Sequence, residues 1–187
     1  MRTTIRHDHP LRTFFTHVTE HTFYEQLGWP NESVIRYVAS LLTDFADVDC
    51  LYEVSDHRGR RRTLLSEMLL DAEDPTNGIR ERDRHRHIGD FTLFMMGLFP
   101  EHLSRLNVQR VIFSGDALLD YVKVGKRSYR IVAECPWEDS EPGHSPELFR
   151  ALSEEFELCV AGLGGVRENL SRRPLTPFDR FRRRWLS

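Results

Sequence analysis

Apolar residues recur along this chain at helical spacing, in blocks set apart by Pro, Gly and charged runs. The most apolar block runs from Ile88 to Pro100. After Gly89 and Asp90, nine of the next ten residues carry no polar side chain, so a helix here has no solvent face and must be surrounded by others. Pro100 stops it. The thirteen residues of this block fall short of the roughly 20 that cross a bilayer, and charged residues and histidines crowd its ends. The pattern predicts a buried central helix over 88–99.

The other blocks supply its neighbours. Pro10 stands at the first position of a helix over 10–27, whose Leu11, Phe14, Phe15, Val18 and Thr22 share one face before Gly28 and Pro30 close it. Asn31 then offers an N-cap, and Val34, Val38, Leu41, Leu42 and Phe45 form a second stripe, with Tyr37 beside it. A polar loop carrying Arg60, Arg61 and Arg62 precedes a third helix over 63–73, which buries Leu64, Leu65, Met68 and Leu69. Alternating charge over 79–87 predicts an exposed lead-in to the central helix.

Ser114 offers a cap for a helix over 115–134, and Gly125 in its middle marks a close approach, with Gly97 of the central helix as the natural partner. Residues 136–144 read as an exposed loop. Ser145, Pro146 and Glu147 start the last long helix with a cap, a proline and an early acid, and Gly162, Gly164 and Gly165 loosen or end it. The whole describes an all-α, single helical bundle-like domain of about six or seven helices around a buried central helix.

The order Gly89-Asp90, Leu93-Phe94 and Gly97-Leu98-Phe99-Pro100-Glu101, followed by Asp120-Tyr121 and Gly125-Lys126-Arg127-Ser128-Tyr129, resembles an uncharacterised family of bacterial all-helical proteins. The resemblance covers about residues 10 to 186. It implies the fold and brings no catalytic residue. Members of that group run on past the position of Trp185, which implies that their last helix is missing here.

Composition narrows the function. With 26 basic and 29 acidic residues the net charge is -3, which argues against a dedicated nucleic-acid binder. Cys50, Cys135 and Cys159 are widely spaced and form no C-x-x-C pair, so reduced thiols are expected. The first residues hold no apolar signal-peptide stretch, and a cytoplasmic location, with no membrane association and no cofactor, is the expectation.

Three chemical readings compete. His17-Val18-Thr19-Glu20-His21 fits the H-x-x-E-H pattern, in which two histidines one helical turn apart share a metal and the glutamate activates its water. A metal-dependent hydrolase on His17, Glu20 and His21 is therefore one alternative, although such patterns also arise by chance among nine histidines. A bundle holding a small apolar ligand is another. A second cluster, Arg84 to His87 with Asp90, places His87 and Asp90 on one face, and the expected role of Asp90 is to pair with a base such as Lys126 or Arg127. The favoured reading is a non-enzymatic module that binds a protein partner or forms a homo-oligomer. Its expected surface is the tail, where Phe178, Phe181 and Trp185 recur at helical spacing among Arg182, Arg183 and Arg184.

Overall fold

Pro10 opens helix α1 (Pro10–Glu20), as expected of a residue with fixed φ and no N–H to leave unpaired. The computed structural model describes residues 10–46, 65–72, 80–101, 117–137 and 142–172. Helix α1 does not run on to residue 27 as an α-helix. From His21 to Gln26 it widens into a π-helical turn, and Gly28, with φ at +63°, ends the segment. Asn31 then caps α2 (Glu32–Ala46), its side-chain oxygen accepting from the Val34 N–H at 3.3 Å.

Helix α3 (Leu65–Ala72) falls inside the span predicted for the third helix and buries Met68 and Ala72. The central helix is α4 (Glu81–Leu98). It is followed by α5 (Ala117–Glu134), α6 (Pro146–Glu154) and α7 (Phe156–Ser171), the last two separated by Glu155 alone. Ser145 caps α6 as its sequence predicts, accepting from the Leu148 N–H at 3.2 Å. The described residues form an all-helical bundle, and α4 packs on α5, α7, α3 and α2.

The central helix is buried over most of its second half, as the absence of polar side chains requires: Phe91, Leu93, Phe94, Met95 and Leu98 are each at most 3% exposed, and Met96 is half-buried. At roughly 1.5–3 kcal/mol for each large apolar side chain, this burial outweighs the several kcal/mol that desolvating one carboxylate costs. That balance lets α4 carry Asp90 in its middle. Phe94 anchors the contact with α2 by an edge-on approach to Phe45, with ring centroids 4.9 Å apart.

The first half of α4 departs from its expected exposure. Arg82, Arg86 and His87 are all buried. Arg82 and Arg86 lie one turn apart, and Trp137 and His144 lie against them. The Arg82 guanidinium stacks 4.7 Å from the centre of the Trp137 ring, and Arg86 meets His144 Nδ1 at 3.4 Å. Trp137 and His144 are consequently half-buried rather than part of an exposed loop. Charge alternation reported the residue types here and missed their setting, because planar guanidinium groups bury readily against aromatic faces.

The glycines also pair differently from expectation. A Cβ on Gly97 would lie 2.3 Å from Cβ of Leu163 in α7, so Gly97 admits α7 and not Gly125. Gly125 faces Phe156 and Thr92, where an added Cβ would stand 2.4 Å from the Phe156 ring. In α7 the glycines do not end the helix. Gly162 receives the ring of Phe23 from the π turn, at 2.1 Å from where its Cβ would be. Helix α7 thus runs intact to Ser171 and uses glycine to let its neighbour in.

Candidate functional site

Among the described residues, polar side chains come together at a buried site and at an open one. The buried one is centred on Asp90. Its Oδ1 accepts hydrogen bonds from the Tyr37 hydroxyl at 2.6 Å and from the Tyr129 hydroxyl at 2.9 Å. Tyr37 comes from α2, Tyr129 from α5 and Asp90 from α4, so one carboxylate oxygen joins three helices. Gly89 lets the Tyr129 ring approach, since a Cβ there would lie 2.7 Å from it. The two bases expected to pair with it are placed otherwise: Lys126 binds Glu157 at 2.8 Å, and Arg127 is exposed.

The physical chemistry of the buried site is that of a structural lock. Burial, and then the charge of Asp90, hold the Tyr129 phenol well above its ordinary pKa, so it stays a donor throughout the neutral range. The Tyr37 ring packs edge-on against those of Tyr129, Phe149 and His144. The His87 ring lies against Phe45, with centroids 6.4 Å apart. The two sequence blocks around Gly89-Asp90 and Gly125 to Tyr129 therefore converge physically, through Asp90 with Tyr129 and through the contact of Gly125 with Thr92.

The open site begins at the π turn. A π turn replaces i→i+4 bonds by i→i+5 ones and is less favourable unless something holds it. Here the Leu27 N–H donates to the Thr22 carbonyl at 3.1 Å, while Thr22 Oγ1 donates to the Val18 carbonyl at 2.8 Å and so occupies an acceptor of the preceding turn. Asn169 of α7 clasps the turn from outside. Its amide N–H₂ donates to Thr22 Oγ1 at 2.9 Å and to Gln26 Oε1 at 3.3 Å. Phe23 is fully buried in the notch at Gly162, next to Trp29.

With Thr22 and Phe23 facing inward, the opposite side of the turn looks out over a groove of about 1230 Å³ between the first helix and the end of α7. His17, Glu20 and His21, the residues of the H-x-x-E-H pattern, all line it together with Phe14, Tyr24, Glu25, Asn169 and Arg172. His21 Nδ1 lies 2.8 Å from the Glu25 carboxylate, a spacing of four along the chain. Among the described residues no three His, Cys, Asp or Glu side chains converge as a metal site. Tyr24 is 40% exposed and Leu27 36%, the most exposed large apolar side chains among the described residues.

Sequence reasoning placed His17, Glu20 and His21 correctly on one face and missed Tyr24, Glu25, Asn169 and Arg172 as their companions. Glu25 was within reach, because a carboxylate four residues after a histidine is a pairing signal in itself. Asn169 left no signal: a lone amide in a glycine-rich helix looks like any surface residue. The tail residues Phe178, Phe181, Arg182, Arg183, Arg184 and Trp185, the arginine run 60–62 and Cys50 lie outside the described residues. Cys159 is buried, and burial pushes its thiol up to about 12, consistent with a reduced structural residue; Cys135 is half-buried, and burial raises its pKa too. No helix among the described residues is long and apolar enough to cross a membrane. No protein-family model, curated protein or solved structure matches the chain.

Proposed function

We propose that this protein is a non-enzymatic cytoplasmic helical module that binds a protein segment, from a partner or from a copy of itself, in the groove beside the π turn. One observation carries the reading: Tyr24, 40% exposed, lines a large open groove together with the carboxylates of Glu20 and Glu25. An amphipathic aromatic next to charge, on a preformed concave surface, is the composition of a protein-binding patch. Small-molecule sites run to about 300–1,000 Å³ and enclose their ligand, whereas a groove of about 1230 Å³ open along its length suits a chain segment.

The test is a photoreactive amino acid placed at Thr13, inside the groove, and in a second variant at Lys123, on the exposed face of α5. The expected result is a discrete cross-linked polypeptide from Thr13 alone, identified by mass spectrometry, whose purified form binds the protein at least about tenfold more weakly after Tyr24→Ala, a loss of roughly 1.4 kcal/mol. No adduct, or equal adducts from both positions, overturns the reading.

A second reading has one observation in its favour. Glu25 holds His21 through Nδ1, which is how carboxylates orient metal-ligating imidazoles, and His17 and Glu20 line the same groove. In that reading a divalent transition-metal ion sits on His17 and His21, and Glu20 serves as base of a hydrolase. Elemental analysis of protein purified without a histidine tag, with His17→Ala as the control, decides it: no metal beyond the level in the variant sinks the metal reading.

A further inference from the structure

We propose that the partner segment presents an arginine to the groove, its guanidinium seated between the Tyr24 ring and the Glu20 carboxylate. The proposal rests on the reading of the groove as a protein-binding surface and names the side chain that the surface selects. Glu20 closes α1 and Tyr24 lies four residues on, in the π turn, so the two stand one turn apart on the side that faces the groove, and both line it. Both are exposed.

Charge decides what sits there. The other carboxylate of the groove and its guanidinium are engaged with side chains of this chain: Glu25 meets His21 at 2.8 Å, and Arg172 meets Glu168 at 3.8 Å. Among the described residues Glu20 has no such partner. The backbone adds to its pull. The first helix ends with the π turn at Gln26 and α7 ends at Ser171, and both last turns reach the groove, one through Tyr24 and the other through Asn169. Helix C-termini carry partial negative charge, so a cation is favoured here and an acid is repelled. The aromatic narrows the choice of cation. A guanidinium is planar and weakly hydrated, and it stacks on a ring while its edge donates to a carboxylate, so it uses Tyr24 and Glu20 together; an ammonium is compact and holds its water. The fold already pairs these groups once, where the Arg82 guanidinium lies 4.7 Å from the centre of the Trp137 ring.

Hexa-arginine amide is the probe, added to the full chain labelled with 3-fluorotyrosine, in which Tyr24 gives one of five fluorine resonances and Tyr24→Phe identifies it. At an ionic strength of about 0.15 M the Tyr24 resonance is expected to move saturably with hexa-arginine, to need at least about fivefold more hexalysine, and to stay in place with hexacitrulline, the neutral isostere. Glu20→Gln is expected to weaken hexa-arginine at least about fivefold, while Glu154→Gln, at an acid of α6 outside the groove, leaves it unchanged. Glu20 and Glu154 are both exposed, so the variants keep the fold. A Tyr24 resonance that ignores hexa-arginine, that moves equally with hexalysine or hexacitrulline, or that responds as strongly in Glu20→Gln overturns the proposal. One that changes when the protein alone is diluted places a second copy in the groove and overturns the assignment to a partner. The cross-link from Thr13 is indifferent to charge and separates the two failures. An adduct from Thr13 with Tyr24 indifferent to hexa-arginine removes the arginine and leaves the groove as a partner site, whereas no adduct removes the groove reading itself.

Discussion

Tyr129→Phe keeps a fully buried ring in its contacts with Phe149 and Phe156 and removes only the hydroxyl 2.9 Å from Asp90. A hydrogen bond to a charged acceptor contributes about 1.5–3 kcal/mol, and the buried carboxylate cannot recover it from water. For a domain of this size each kcal/mol shifts the melting temperature by about 2–4 °C, so a fall of roughly 3–12 °C is expected. Urea denaturation should show the midpoint falling with the slope unchanged. Tyr37 donates to the same oxygen, at 2.6 Å. The double variant with Tyr37→Phe should therefore depart from the sum of the two single costs, since both hydroxyls donate to one acceptor. The pH dependence supplies a second check. Tyr129 has its folded pKa raised, chiefly by burial and then by Asp90, while the unfolded chain releases that proton near the ordinary value of about 10. Its contribution is whole below pH 10 and is lost as pH rises toward the folded pKa, because the folded state then binds more protons than the unfolded one. Parent and Tyr129→Phe should draw together in stability above pH 10. A cost below about 0.5 kcal/mol, the level of an ordinary surface change, together with parallel pH profiles, would refute the lock at Asp90.

Two glycine changes should act with opposite signs. Gly97→Ala places a methyl 2.3 Å from Cβ of Leu163, an atom that cannot swing aside, and should cost about 1–3 kcal/mol; Gly164→Ala meets nothing within 4 Å and should stabilise α7 by up to about 1 kcal/mol, both read by urea denaturation. Asn169→Ala removes the clasp on the π turn, and the Leu27 amide should exchange its hydrogen faster while those of α5 do not, as followed by NMR. Cys159, fully buried and with its thiol pushed up to about 12, should resist an alkylating reagent at neutral pH until the chain unfolds, which peptide mapping by mass spectrometry will show; alkylation in the folded protein would contradict its burial.

The elements with strong periodicity were legible in the sequence. The central helix announced itself by lacking a polar face, and Ser145-Pro146-Glu147 announced the start of α6 by capping chemistry that operates within one turn. What stayed hidden depends on contacts between distant residues. Nothing near Asp90 in the chain says that Tyr37 and Tyr129 donate to it, since both lie far from it in sequence. Gly97 signalled a close approach without naming the helix that approaches. The π turn was invisible because its cause, Asn169 and the notch at Gly162, lies far along the chain from Thr22 and Phe23. Of the open site, His17, Glu20 and His21 were readable from spacing alone, whereas the groove they line exists only once α7 lies beside them.

A π turn spends one more residue than an α turn on nearly the same rotation, so in chain length the stretch from Thr22 to Trp29 contains an insertion of one. The helix before it and the Gly28 stop after it need no adjustment to accommodate that residue, and the inward-facing Phe23 keeps its place at Gly162. The cost of the insertion falls on backbone bonding, and its yield is the outward shelf of Tyr24 and Glu25. A sister sequence one residue shorter at this point could keep every core contact and lose the wall of the groove. Length between these two landmarks, more than residue identity, would therefore divide chains that share this fold into those with the groove and those without it.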